Sequence, residues 1–242
     1  MIDLTNFDWG WMNEPSNVTV TTPLGSLPLG DYHKEGMIKE IFTDRCYEKF
    51  YQIKEGDIVV DIGASVGPFT YSILDKKPKH VFCLEPSEVE FKSLVKNTIG
   101  YPVTQINKGI SNKNSVVESN MLFGGESEME SITFKKFISL YGLDKIDFIK
   151  TDCEGGEYDI FTDENLEYLL VNVSHIAGEW HLSTFEEKNK FRNFRDNFLI
   201  HFNEYNVFSV DGIDIKWDLW NEHFIEYYNQ VHLFISNFRY PS

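Results

Sequence analysis

The stretch that most constrains this chain is Ile58-Val59-Val60-Asp61-Ile62-Gly63-Ala64-Ser65-Val66-Gly67. A short apolar run broken by one acid and closed by two glycines predicts a buried strand, a tight turn and a helix start. Glycine lets the backbone approach a ligand closely, and the first N–H groups of the following helix lack partners of their own. In a doubly wound α/β sheet, that is where a nucleotide-like ligand sits. The nicotinamide-binding G-x-G-x-x-G frame does not fit, because positions 65 and 68 hold Ser65 and Pro68.

Downstream, strand and helix patterns alternate. Strands are expected at Ile58–Ile62, His80–Leu84, Val103–Asn107, Ile146–Thr151, Ser174–Glu179, Asn206–Val210 and Gln230–Ser236. Helical periodicity runs over Gly67–Asp75, Glu88–Asn97, Thr133–Leu140, Tyr158–Leu169 and Thr184–Phe202, with Ser87 placed to cap the second of these. A weaker strand is expected at Ser115–Glu118 and a glycine-rich loop at Leu122–Ser127. Repeated βα units of this length predict an α/β fold, a mostly parallel doubly wound sheet with helices on both faces.

Residues 36–242 read as one domain and residues 1–35 as an N-terminal extension punctuated by Trp9, Trp11, Pro15, Pro23 and Gly25. The extension is expected to pack across the domain on its aromatic side chains; a lid over the ligand is its alternative use. From Glu35 to Tyr51, Met37, Ile38, Ile41, Phe42 and Cys46 recur at helical spacing, as one amphipathic helix or two short ones.

Two further acidic sites fall at strand ends. Glu85 follows Val81-Phe82-Cys83-Leu84, where a carboxylate can accept both hydroxyls of a ribose bound over the glycine turn, and Pro86 fixes the bend after it. The strand Ile146–Thr151 runs into Asp152-Cys153-Glu154-Gly155-Gly156-Glu157. Three carboxylates gathered there repel one another unless a cationic ligand, a basic substrate, Lys150 or a metal ion offsets them. Glu157 also fits as a helix N-terminal acid.

Composition narrows the partners. A formal charge of −16 argues against a nucleic-acid substrate and against anionic membranes, since both need clustered Lys and Arg. Cys46, Cys83 and Cys153 have no Cys-x-x-Cys spacing, which suggests a reducing, cytoplasmic setting without a zinc site or disulfide framework. No apolar run approaches a membrane span, and Met1-Ile2-Asp3-Leu4-Thr5 does not read as a signal peptide.

Taken together, Val60-Asp61-Ile62-Gly63-Ala64-Ser65-Val66-Gly67-Pro68-Phe69, Leu84-Glu85-Pro86 and Ile149-Lys150-Thr151-Asp152-Cys153-Glu154-Gly155-Gly156-Glu157 resemble the FkbM-type family of S-adenosylmethionine-dependent methyltransferases. The resemblance covers residues 40–179, and the Lys-x-Asp-x-Glu-Gly-x-Glu segment is its specific part. It implies a Rossmann-like methyltransferase fold, S-adenosylmethionine as cofactor, and methyl transfer to a hydroxyl of a sugar or other small metabolite. Asp61, Gly63, Ala64, Ser65, Gly67, Glu85, Pro86, Asn107 and Asp152 are then the expected cofactor-binding residues, Asn107 by fold analogy alone.

Asp152, Glu154 and His181 are the expected catalytic residues. His181 ends Gly178-Glu179-Trp180-His181, and an imidazole of ordinary pKa, about 6.5, suits removal of a hydroxyl proton. A histidine paired structurally with a neighbouring acid is the other reading. A divalent metal on Asp152, Glu154, Glu179 and His181 is a further use of the same side chains and is not favoured. A non-catalytic binding module and a nucleic-acid methyltransferase are the alternative functions, and the oligomeric state stays open. Trp217, Trp220, Phe224, Tyr227 and Tyr228 read as packing residues, with an aromatic wall for a sugar as the alternative.

Overall fold

The computed structural model describes residues 2–22, 25–112, 116–121 and 125–237. Seven strands form the central sheet: β1 (Ile58–Ile62), β2 (His80–Leu84), β3 (Val103–Ile106), β4 (Ile146–Thr151), β5 (Val173–His181), β6 (Glu204–Phe208) and β7 (Gln230–Ser236). Their spatial order is β6-β7-β5-β4-β1-β2-β3. β3, β2, β1, β4 and β5 are mutually parallel, whereas β7 is antiparallel to both β5 and β6. The order reverses between β1 and β4, so a crevice opens above their C-terminal ends.

Alternation along the strands builds two apolar layers. On one face Val60, Ile62, Phe82, Leu84 and Ile149 meet Phe134 and Phe137 of α4 (Phe134–Tyr141), Leu169 of α5 (Asp163–Asn172), Phe191 and Phe194 of α6 (Phe185–Asn197), and Phe224 of α7 (Glu222–Tyr227). On the other face Val59, Val81, Cys83, Phe148 and Ala177 meet Phe69 and Ile73 of α2 (Pro68–Ile73) and Leu94 of α3 (Glu88–Thr98). Helices therefore cover both faces, as the sequence pattern predicts.

Capping accounts for several helix starts. Ser87 and Thr133 accept the backbone N–H of Glu90 and Lys136, and Thr184 with Glu187 closes a full capping box. The expected Tyr158–Leu169 helix is instead a 3-10 turn, Glu157–Ile160, followed by α5, because Thr162 is extended between them. The expected Thr184–Phe202 helix likewise stops at Asn197 before a 3-10 turn at Leu199–His201.

The helix expected from Glu35 begins earlier, as α1 (Leu29–Met37), and continues as a π-helical segment, Ile38–Thr43, before a 3-10 turn at Cys46–Glu48. A strand ribbon flanks the sheet, with Gly109–Ile110 beside Gly125–Ile132 and Gly125–Ile132 beside Val116–Met121. Gly125 to Ser127 is thus strand where a loop is expected. Ser115 and residues 122–124 lie outside the described residues.

Upstream of α1, Phe7, Trp9 and Met12 are buried together with Val66 of the glycine turn. Among the described residues, no helix is long and apolar enough to cross a membrane.

Candidate active site

Close backbone approach shapes the crevice floor. Gly63 has φ +73°, and a Cβ there would lie 1.8 Å from the Asp152 carbonyl oxygen. Only glycine is accommodated at that contact. Gly178 on β5 meets β4 in the same manner, with an added Cβ 2.0 Å from the Thr151 carbonyl oxygen. Ser65, between the two glycines of the turn, is itself left-handed at φ +50°. The amide of Ala64 donates to the Leu84 carbonyl at 3.0 Å, tying the turn to β2.

Asp61 lies beneath this turn. It is fully buried, with Oδ2 accepting from the Thr70 hydroxyl at 2.8 Å and Oδ1 3.2 Å from Lys150 Nζ. The two residues are register partners across β1 and β4. Lys150 also donates to the Gly63 carbonyl at 2.6 Å, and its ammonium stands 5.6 Å over the Tyr47 ring. Burial pulls the Lys150 pKa down, but the carboxylates of Asp61 and Asp152 more than reverse this and keep it charged. Asp61, through Lys150, holds the turn from below.

Glu85 faces the turn from β2. Its Oε2 accepts the Ser65 N–H at 2.8 Å and its Oε1 the Ser87 N–H at 2.7 Å. Burial and the nearby charge of Glu90 push its carboxyl up to about 8, against the pull of those two N–H donors. Asn107 does not reach outward alone; its Nδ2 donates to the carbonyls of Glu85 and Pro86 at 2.9 and 3.2 Å, bracing that bend.

The other side of the crevice is a carboxylate cluster around one imidazole. Asp152 Oδ2 accepts from the Tyr47 hydroxyl at 2.7 Å. Glu157, fully buried, accepts the Cys153 and Gly155 N–H groups at 2.8 and 3.3 Å on Oε1, the same oxygen that meets His181 Nδ1 at 3.0 Å. His181 Nε2 points between Glu154 at 3.5 Å and Glu179 at 3.4 Å, and the other oxygen of Glu179 meets His232 Nε2 at 3.2 Å. Burial lowers the His181 pKa, but the hydrogen bond and charge of Glu157, with Asp152 and Glu154, push it up to about 10. At neutral pH the ring is therefore an imidazolium without a lone pair to offer, which argues against the base role expected of it.

Asp152, Glu157 and His181 each bring a ligand-type atom within 4.8 Å of the others. This group already carries its own counter-charge in the Glu157–His181 contact.

Sequence reasoning missed four residues that border these sites: Tyr47, Glu90, Trp11 and His232. Tyr47 follows Cys46 in a 3-10 turn inside the stretch expected to be helical, and its hydroxyl meets Asp152 across 105 residues of sequence. His232 was the most legible of them, since β7 alternates Val231, Leu233 and Ile235 with His232 and Phe234.

The model of the methyltransferase FkbM domain matches residues 61–208, which is over half of the chain. The chain belongs to the FkbM methyltransferase domain family. The FkbM match contains every crevice residue from Asp61 to His181, while Tyr47, the N-terminal segment and β7 lie outside it. The chain is 36% identical over 69 residues to 31-O-demethyl-FK506 methyltransferase FkbM of Streptomyces tacrolimicus. That alignment covers 28% of this chain and 26% of the relative, so the chain spans about a quarter of that relative's length.

Among solved structures, the fibrillarin/Nop5p complex is similar at TM-score 0.51 and 14% identity, over 93% of this chain and 91% of that one. An rRNA methylase from Streptococcus thermophilus gives TM-score 0.47 and 11% identity, over 92% and 100%. A Streptococcus mutans protein in complex with SAH gives 0.46 and 11%, over 76% and 90%. With its seven-stranded, mostly parallel sheet and helices on both faces, the FkbM-type chain has the Rossmann-like methyltransferase fold.

Proposed function

We propose that this protein transfers a methyl group from S-adenosylmethionine to a hydroxyl of a sugar or other small metabolite. The observation that carries the reading is the meeting of two parts at one sheet edge. A glycine turn with a buried carboxylate beside it faces a second cluster of carboxylates at the ends of β4 and β5.

The residues fit the donor. Gly63 lets the turn lie directly against the Asp152 backbone, and Ser65 and Glu85 meet across it, so Gly63, Ala64, Ser65, Gly67, Glu85 and Pro86 are the residues that would hold it. Asn107 keeps the Glu85–Pro86 bend in place. When bound, S-adenosylmethionine supplies a methyl group on a positively charged sulfur, a strong electrophile for in-line displacement.

This chain's own groups then align the acceptor and take its proton. Asp152 is the proposed proton acceptor, its carboxylate positioned by the Tyr47 hydroxyl. His181, protonated and anchored by Glu157, orients Glu154 and offsets the negative charge around the reacting atoms.

One observation favours a small hydroxylic acceptor. The charge of −16 is the wrong sign for a nucleic-acid backbone.

The test is release of S-adenosylhomocysteine across a panel of sugars, nucleotides and phenolics. Turnover on a sugar or other small hydroxylic compound supports the reading. Donor binding with no turnover on any of them supports the non-catalytic alternative.

A further inference from the structure

Two carboxylates converge on Ser65, and the donor site described above uses one of them. Glu85 accepts the Ser65 N–H. Glu90, in the first turn of α3, accepts the Ser65 hydroxyl at 3.3 Å and the Trp11 indole N–H at 3.2 Å, both on Oε1. Neither carboxylate has a cation at salt-bridge distance among the described residues, and the two are close enough to repel each other. Two neighbouring carboxyl groups with no cation paired directly to either suit a neutral group that brings two O–H donors on adjacent atoms, a vicinal diol.

The N-terminal segment fixes Glu90 in that position. Gly10 is pressed against the turn, where a Cβ would lie 3.0 Å from Val66 Cγ1 and 3.1 Å from Ser93 Oγ of α3. Asn97 of α3 accepts the Asp8 N–H at 2.7 Å and donates to the carbonyls of Asp8 and Val66 at 2.9 and 2.8 Å. Lys96 pairs with the Asp8 carboxylate at 2.8 Å. Residues 8–11 are thus fastened to the same turn and helix that carry the two carboxylates, as a fixed wall.

We propose that Glu90, positioned by Trp11, is a second ribose-binding carboxylate, so that Glu85 and Glu90 each take one of the donor's two ribose hydroxyls. This rests on the methyl-donor reading above. It gives the N-terminal segment a part in donor selectivity and makes the site sensitive to each hydroxyl separately.

The experiment is calorimetric titration of the full chain with S-adenosylhomocysteine and with its 2′-deoxy and 3′-deoxy analogues, folding of each variant being checked by circular dichroism. Wild type is expected to prefer the parent over each analogue by about 10–100-fold, the scale of a hydrogen bond to a charged group. Glu90→Gln keeps an acceptor oxygen for Trp11 and Ser65. It is expected to weaken the parent by about 10-fold and to lose most of the preference over one analogue only. Glu85→Gln is expected to lose the preference over the other. Trp11→Phe, which frees Glu90 without altering it, is expected to reduce the Glu90-dependent preference alone.

Retention of both preferences in Glu90→Gln and Glu90→Ala overturns the proposal and leaves Glu90 as an anchor for Trp11. Failure of the folded wild type to bind the parent compound overturns the methyl-donor reading itself, and the proposal with it.

Discussion

Asp61 and Lys150 meet at 3.2 Å beneath the glycine turn, as register partners on adjacent strands and both almost without solvent exposure. The pair joins the two motifs on which the site depends, because the same ammonium donates to the Gly63 carbonyl. Lys150→Met should leave Asp61 buried without its cation and cost about 3–5 kcal/mol of stability. Urea denaturation measures it; a loss below about 1 kcal/mol would show that the turn does not depend on the pair.

Gly63→Ala should be far more damaging than Gly100→Ala, although both glycines have positive φ. A methyl at 63 meets the Asp152 carbonyl, whereas at 100 nothing lies within 4 Å. The first should add about 1–3 kcal/mol of overpacking to a left-handed strain of about 1–2 kcal/mol, and the second only the strain. Equal losses in parallel denaturation curves would mean that the β1 and β4 backbones part easily.

Glu85 gives the unliganded protein a characteristic pH dependence. Its carboxyl stands at about 8 in the folded chain, against about 4.3 for an unfolded glutamate. The folded state therefore holds a proton that the unfolded state releases, and this contribution to stability falls as pH rises from about 4.3 to 8. Glu85→Gln should flatten that part of the melting-temperature profile. An unchanged slope would place the carboxyl in water.

His181 acts in the same direction over a higher window. Held up to about 10 when folded, against about 6.5 unfolded, it contributes stability that is full below pH 6.5 and lost as pH rises through 10. His181→Gln should remove this loss between pH 7 and 10, as followed by thermal melts. A variant as pH-sensitive as wild type in that range would show the ring to be neutral.

Tyr47→Phe removes the hydroxyl that positions Asp152 while leaving the ring under Lys150. Once an acceptor is found, kcat should fall by about 10-fold or more with donor affinity little changed, the scale of a hydrogen bond to a charged group. Unaltered kcat would take Asp152 out of the proton-accepting role.

The sheet was readable from sequence because its information is local. Each of β1, β2, β4 and β7 is an apolar run bounded by turn signals, and all four lie where the pattern puts them. Glu85 and the Asp152–Glu157 segment were readable for a related reason, since in an open α/β sheet the strand ends themselves face the crevice. The fate of Asp61 and His181 was less legible. An acid two residues before a glycine turn reads as a ligand contact, and only strand register brings Lys150 opposite it. His181 has a free imidazole's pKa in sequence terms, and becomes an imidazolium only when Glu157, Asp152 and Glu154 arrive from the end of β4. Tyr47 and Trp11 act across 105 and 79 residues, and no local pattern encodes such contacts.

Whether the Gly63–Gly67 turn and Glu85 hold a methyl donor is measured by calorimetric titration of S-adenosylhomocysteine into wild type and Glu85→Ala. Saturable one-to-one binding to wild type is expected, lost in the variant while its far-ultraviolet circular dichroism is retained. Absence of binding to the folded wild type, or equal affinity in the two proteins, would contradict it.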